Sequence, residues 1–184
     1  MGEFTFENVL GKRTLIIGEV STGKTKLTAK LLEEAIQMVN SKDITAIDLS
    51  PTTTKKVGGT LSKYTNAVSK VRYLSPKTVR APRLEGRSRD EVLSLAEYNR
   101  SVIEPILQSY LTNPSKVLFI NDLSIFLHSG SVDVIVKCME KAGTFVANSY
   151  YGRSIGSDKG SGINRKERAS LKELFNHIDL LIKL

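Results

Sequence analysis

The stretch Gly18-Glu19-Val20-Ser21-Thr22-Gly23-Lys24-Thr25, followed by Lys26, sets two glycines, a lysine and a hydroxyl between an apolar run and a helical pattern. Phosphate oxygens need several donors converging on one point. Glycines let the backbone curl so that successive N–H groups face inward, and a helix beginning at Lys24 adds its partial positive N-terminus. Lys24 brings a mobile charge to the outer phosphates, while the Thr25 hydroxyl can ligate a Mg²⁺ that bridges them. Residues 18–26 are therefore the candidate binding set.

The stretch matches G-x-x-x-x-G-K-[ST] in full. On this loop and its place between strand and helix, the chain resembles the P-loop (Walker A) nucleoside triphosphatases. The resemblance covers the whole strand–helix layout, with the loop as its one specific motif. It implies a bound nucleoside triphosphate with Mg²⁺, and an acidic residue after a second apolar strand. Val117-Leu-Phe-Ile-Asn-Asp122 supplies that strand but offers Asn121 where the family's first aspartate would stand, with Asp122 one position late. Asp122 is the candidate to hold the metal through a water, or to orient one. The kinase and GTPase branch implies a metal organiser or base at Asp48 in IDLSP, a residue equally suited to capping a strand end.

Phosphoryl transfer also calls for positive charge at the moving group. Small kinases of the superfamily carry a lid where this chain has Arg153, Lys159, Arg165 and Arg168, and they bind acceptors where it has Arg80, Arg83, Arg87 and Arg89. Lys24, Asp48, Asp122 and Arg153 form the candidate catalytic set; Thr25, Asp48 and Asp122 form the candidate metal set. ATP is favoured over GTP, because the guanine-reading string Asn-Lys-x-Asp is reduced to Asn148 in VANSYYG. Tyr150 and Tyr151 can stack on a base or pack in the core; His128, after SIFL, caps or lines the cleft, and Cys138 belongs to the core.

Those residues need a scaffold. Arg13–Gly18, Ile44–Leu49, Lys116–Asn121, Gly143–Asn148 and His177–Leu184 read as five strands. Helical spacing runs over Lys24–Asn40 and Val132–Ala142, and from Asn164 to about Asn176. Ser88-Arg-Asp-Glu91 is a capping box opening a helix to about Leu111, bent at Pro105 and stopped by Asn113-Pro114. Alternating strands and helices imply an α/β, three-layer fold with a mainly parallel five-stranded sheet. Right-handed crossovers, with no spare strand to intervene, give the order 2-3-1-4-5, closer to the small kinase and GTPase branch. The RecA-like order, with another strand beside the loop strand, is the alternative that INDLS faintly suggests. Residues 1–184 read as one domain, with a basic insert at 50–89 and a lid loop at 150–164.

The insert holds ten basic residues against Glu85 alone, although the whole chain has a net charge of +8. The excess is thus local, as expected for a surface that meets a phosphate-bearing acceptor or nucleic acid, or for a solvated loop. No apolar run is long enough to span a bilayer, and MGEFTFENVL lacks the layout of a signal peptide. One cysteine cannot form an internal disulfide. The expectation is a cytoplasmic protein without membrane attachment, its oligomeric state left open. Three functions fit: a small kinase, an NTPase switch whose insert grips a partner, or a nucleotide binder with little turnover.

Overall fold

The computed structural model describes residues 4–54 and 59–184. Lys55, Lys56 and Gly58 of the basic insert lie outside the described residues.

Successive residues of the four inner strands face opposite sides of the sheet. In β1 (Arg13–Gly18) Leu15 and Ile17 pack with one apolar cluster and Ile16 with the other. β4 (Val117–Asn121) sends Leu118 and Ile120 to the first and Val117 and Phe119 to the second. β5 (Thr144–Tyr150) divides in the same way, with Phe145 and Ala147 against Val146. Both faces are therefore covered, as an all-parallel sheet requires. α1 (Phe6–Val9) and α2 (Lys24–Met38) supply the second cluster. The first draws on α4 (Arg89–Thr112), α5 (Ser124–Leu127), α6 (Val132–Lys141) and α7 (Ile163–Phe175). The result is the three-layer α/β arrangement.

The sheet has six strands among the described residues, in the order β3-β2-β4-β5-β1-β6, where β2 is Ile44–Asp48, β3 Arg72–Leu74 and β6 Leu180–Lys183. Two expectations are corrected here. The sheet is not five-stranded, because Arg72–Leu74 adds a short parallel edge to β2. The order 2-3-1-4-5 also fails, because β5 pairs with β1 on one side and β4 on the other, separating them. That is the arrangement named above as RecA-like, and it removes the support for the small kinase and GTPase branch. The physical reason lies in length: β5 is the longest strand, with seven residues to pair on both sides, and like β2 and β4 it is buried throughout.

The described residues of the 50–89 insert carry more regular structure than its turn-rich sequence suggests. Short 3₁₀ turns at Leu61–Lys63 and Asn66–Lys70 precede β3, and α3 (Pro82–Glu85) precedes α4. The Ser88 hydroxyl accepts from the Glu91 amide at 3.3 Å, while Glu91 reaches back to the Arg87 amide at 2.8 Å. α4 carries Pro105 in its interior and stops at Asn113.

Candidate functional site

The carboxyl ends of β2, β4 and β5 come together beside the loop after β1, where open parallel sheets place their ligands. Gly18 is required by close approach: a Cβ there would lie 2.5 Å from the Leu184 carbonyl oxygen and 2.8 Å from Thr22 Oγ1. Gly23 sits at φ +94° as the N-cap of α2, a conformation that side chains resist. Thr22 Oγ1 donates to the Glu19 carbonyl at 3.0 Å, and Lys24 Nζ donates to that same oxygen. Removal from water holds the Lys24 ammonium below its usual pKa, and the negative charges of Asp122 and Glu19 partly offset this.

Lys24, Thr25 and Asp122 line one cavity of about 270 Å³, with Val20, Ser21 and Lys26 at the loop side. Its other walls are mostly apolar and include Pro82, Leu84, Ile125 and Ile155. Asp122 has the left-handed φ of +59°, so it leaves the line of β4 and turns toward the loop. Its amide is held by Asn148 Oδ1 at 3.0 Å, and its carboxylate accepts from Ser124 Oγ at 2.8 Å. Burial pushes its pKa up to about 6, against the opposing pull of the Ser124 bond and the Lys24 charge.

Asp48 is placed differently. It is fully buried and does not line that cavity. One oxygen accepts from the Leu61 amide at 2.6 Å and the Tyr73 hydroxyl at 2.8 Å; the other accepts from the Ser50 amide at 3.2 Å and Asn121 Nδ2 at 2.9 Å. Removal from water, together with the Asp48 carboxylate, drives the Tyr73 hydroxyl well above its ordinary pKa. Asp48 thus anchors the insert to the sheet. It begins a row of polar side chains on the α2 face. Asn121 Oδ1 accepts from Asn148 Nδ2 at 2.7 Å, and Asn148 Nδ2 also donates to Thr28 Oγ1 of α2 at 2.8 Å. The asparagine where the P-loop resemblance implies an aspartate is therefore a structural donor.

The arginines divide. Arg153 is exposed; its amide donates to Glu19 Oε1 at 2.6 Å, and its side chain borders a second cavity with Arg165 and Arg168. Bonds from Ser154 and the Arg153 amide hold the Glu19 carboxyl below its usual pKa. Arg80 pairs with Glu85 at 2.7 Å, and Arg87 and Arg89 are exposed. Arg83, expected at the surface, is 7% exposed and ion-paired with Glu167 at 2.8 Å. Its guanidinium lies 5.6 Å from the Tyr150 ring centre, so Tyr150 is a packed wall of the cavity. Tyr151 packs edge-on against Phe175, and Cys138 is buried, its thiol pushed up to about 12 by desolvation.

Sequence reading missed the partner. Glu167 lies on the apolar stripe of α7 with Ile163, Leu171 and Leu174. A carboxylate at that spacing signals a buried ion pair, because an unpaired one would be too costly. It meets His128 as well: Nε2 and Glu167 Oε2 are 2.8 Å apart.

Among the described residues no group of three or more His, Cys, Asp or Glu side chains could hold a metal ion, and no helix is long and apolar enough to cross a membrane. No family model matches the chain, and no curated protein is similar to it. Among solved structures it is similar to the flagellar accessory protein FlaH from Methanocaldococcus jannaschii, with 15% identity and a TM-score of 0.50. The match covers 94% of this chain and 70% of that one. At such identity the likeness speaks to the fold alone: a P-loop-like three-layer arrangement of sheet and helices.

Proposed function

We propose that the chain binds a nucleoside triphosphate, ATP in preference to GTP, at Gly18–Lys26 and cleaves its terminal phosphate with Mg²⁺. The observation that carries this reading is that Lys24, Thr25 and Asp122 share one cavity at the carboxyl end of a parallel sheet. The amides of the loop and the α2 N-terminus bind the phosphates, and Lys24 exchanges its bond to the Glu19 carbonyl for the outer phosphate oxygens. Hard oxygen donors suit Mg²⁺, and the Thr25 hydroxyl with the Asp122 carboxylate meets that requirement. Mg²⁺ would be held by Thr25 and, through water, Asp122, and would neutralise charge on the phosphates. Asp48 does not join them, because its two oxygens already accept four hydrogen bonds.

The exposed arginines of the insert and of the second cavity provide attraction for an anionic acceptor or nucleic acid. A second reading, a nucleotide-dependent switch with little turnover, draws on Glu19. This loop residue bonds the Arg153 and Ser154 amides at 2.6 and 3.4 Å, tying the segment after β5 to the candidate phosphate loop. Phosphate release from ATP with Mg²⁺, measured beside binding of a fluorescent ATP analogue, separates the two. Turnover supports the first reading and binding without turnover the second. No binding at all refutes both.

A further inference from the structure

His128 occupies the turn that follows α5, is 3% exposed, and lines the same cavity as Lys24, Thr25 and Asp122. Its ring has one committed nitrogen and one free. Nε2 meets Glu167 Oε2 at 2.8 Å, while Nδ1 is buried without a hydrogen-bond partner. Arg83 Nη2, which can only donate, lies 2.8 Å from the same oxygen and pairs with Glu167 as a carboxylate; burial raises the Glu167 pKa, but the bonds from His128 and Arg83 bring it below its usual value. A carboxylate has no proton to give, so Nε2 must carry the hydrogen of the shared bond. Nδ1 is then left with a lone pair in a neutral ring. Burial keeps that ring neutral by lowering its pKa, although Glu167 pulls the other way.

Charged groups approach the ring from several elements. Glu167 and Lys166 come from α7 and Arg83 from α3; from α4, Glu97 bonds Ser129 and pairs with Arg100. Lys24 and Asp122 stand along the same cavity. Arg83 is itself fixed by Asn164 Oδ1 at 2.5 Å from its Nε. A base held in one tautomer by a carboxylate, on a side chain that lines the cavity, is the arrangement by which an attacking oxygen is activated.

We propose that His128 Nδ1 accepts the proton of the water that attacks the terminal phosphate, with Glu167 and Arg83 as its positioning residues. The role rests on the phosphate-cleaving reading above. As the water oxygen bonds to the terminal phosphorus, its proton passes to Nδ1. The bond from that phosphorus to the β–γ bridging oxygen breaks, and its electron pair leaves with the diphosphate. The products are a nucleoside diphosphate and inorganic phosphate. The imidazolium formed keeps its Nε2–H bond to Glu167, which stabilises the new charge, and its extra proton then returns to solvent. The apolar walls limit the water that can compete at this point.

The chain contains only two histidines, so ¹⁵N-histidine labelling of the wild-type protein resolves His128 from His177. The spectrum should show the Nε2–H tautomer with an unprotonated Nδ1, and the Nδ1 signal should move on adding ADP, Mg²⁺ and aluminium fluoride. His128→Gln keeps a donor for Glu167 but removes the basic lone pair. Its ATP turnover should fall by about 10²–10⁴-fold, with binding of the fluorescent ATP analogue within about threefold of wild type. A proton on Nδ1, an Nδ1 signal unmoved by the aluminium fluoride complex, or undiminished turnover in a folded His128→Gln overturns the role of His128 alone. A wild-type chain that releases no phosphate from ATP refutes the cleavage reading, and His128's role with it, before any variant is made.

Discussion

Asn121→Asp restores the aspartate that the P-loop resemblance places at this position, and it should damage the protein. Asn121 Nδ2 donates to Asp48 Oδ1 at 2.9 Å, Ser50 Oγ at 2.7 Å and the Gly59 carbonyl at 3.0 Å, and both Asn121 and Asp48 are fully buried. Replacing the amide by a carboxylate sets two like charges side by side. At a charge separation of about 4 Å and an effective dielectric near 20, their repulsion is about 4 kcal/mol. That corresponds to a rise of about three units in the pKa of the coupled pair, from an unfolded value near 3.9. Because the folded pKa is raised, the penalty is full above about pH 7 and shrinks by about 1.4 kcal/mol per unit as the pH falls toward 4. A pH-independent remainder of about 1–2 kcal/mol reflects donors that a protonated carboxyl cannot replace.

Urea unfolding at pH 5, 6, 7 and 8 reads this directly. Asn121→Leu is the control, since it loses the Nδ2 bonds, and the Oδ1 bond from Asn148 as well, without gaining a charge, so its cost should change with pH much less than that of Asn121→Asp. An Asn121→Asp penalty below about 1 kcal/mol at pH 8, or one as flat as the leucine control's, would refute the buried amide–carboxylate contact.

Lys24→Ala should weaken ATP binding at least about tenfold while leaving the urea midpoint nearly unchanged, because its ammonium bonds only a loop carbonyl in the absence of ligand. Thr25→Ala should raise the Mg²⁺ concentration needed for half-maximal turnover more than it changes ATP affinity, as a Mg²⁺ titration would show. Glu167→Ala should cost about 3–5 kcal/mol in urea unfolding, since it strands the buried Arg83 guanidinium; a cost under about 1 kcal/mol would contradict the pairing. Asp122 has its folded pKa raised to about 6, so ionising it opposes folding above that pH. Asp122→Asn should therefore add about 1–3 kcal/mol of stability at pH 8, a gain that fades as the pH drops from 6 toward 4, while turnover falls.

The four inner strands were legible because each is a short apolar run bounded by turn formers, and the loop Gly18–Thr25 because its chemistry is written in eight consecutive residues. β3 was not. Three half-buried residues, Arg-Tyr-Leu, at a sheet edge carry no period against the surrounding lysines and arginines. Strand order was misjudged because side-chain alternation says which face is buried and nothing about which strand is the neighbour. In the candidate site, Lys24, Thr25 and Asp122 converge as the spacing suggested, whereas Asp48 was chosen for its strand end. Its hydrogen bonds come from residues up to 73 positions away, a distance in sequence that no local pattern encodes. Arg83 was counted as surface charge because its partner sits 84 residues on.

The polar row from Asp48 to Thr28 has a direction, and direction constrains inheritance. Asp48 only accepts, so Asn121 must turn its amide nitrogen toward it and its oxygen toward Asn148. Asn148 must in turn offer its nitrogen to that oxygen and to Thr28, keeping its own oxygen for the Asp122 amide. No member can change its hydrogen-bonding sense without reversing the next. Exchanging Asp48 and Asn121 does not help, since position 48 faces three further donors, from Ser50, Leu61 and Tyr73, beside Asn121. Descendants of this chain that keep Asp48 are therefore barred from an aspartate at 121, and any lineage that acquires one must first rebuild how residues 50–73 are tied to the sheet.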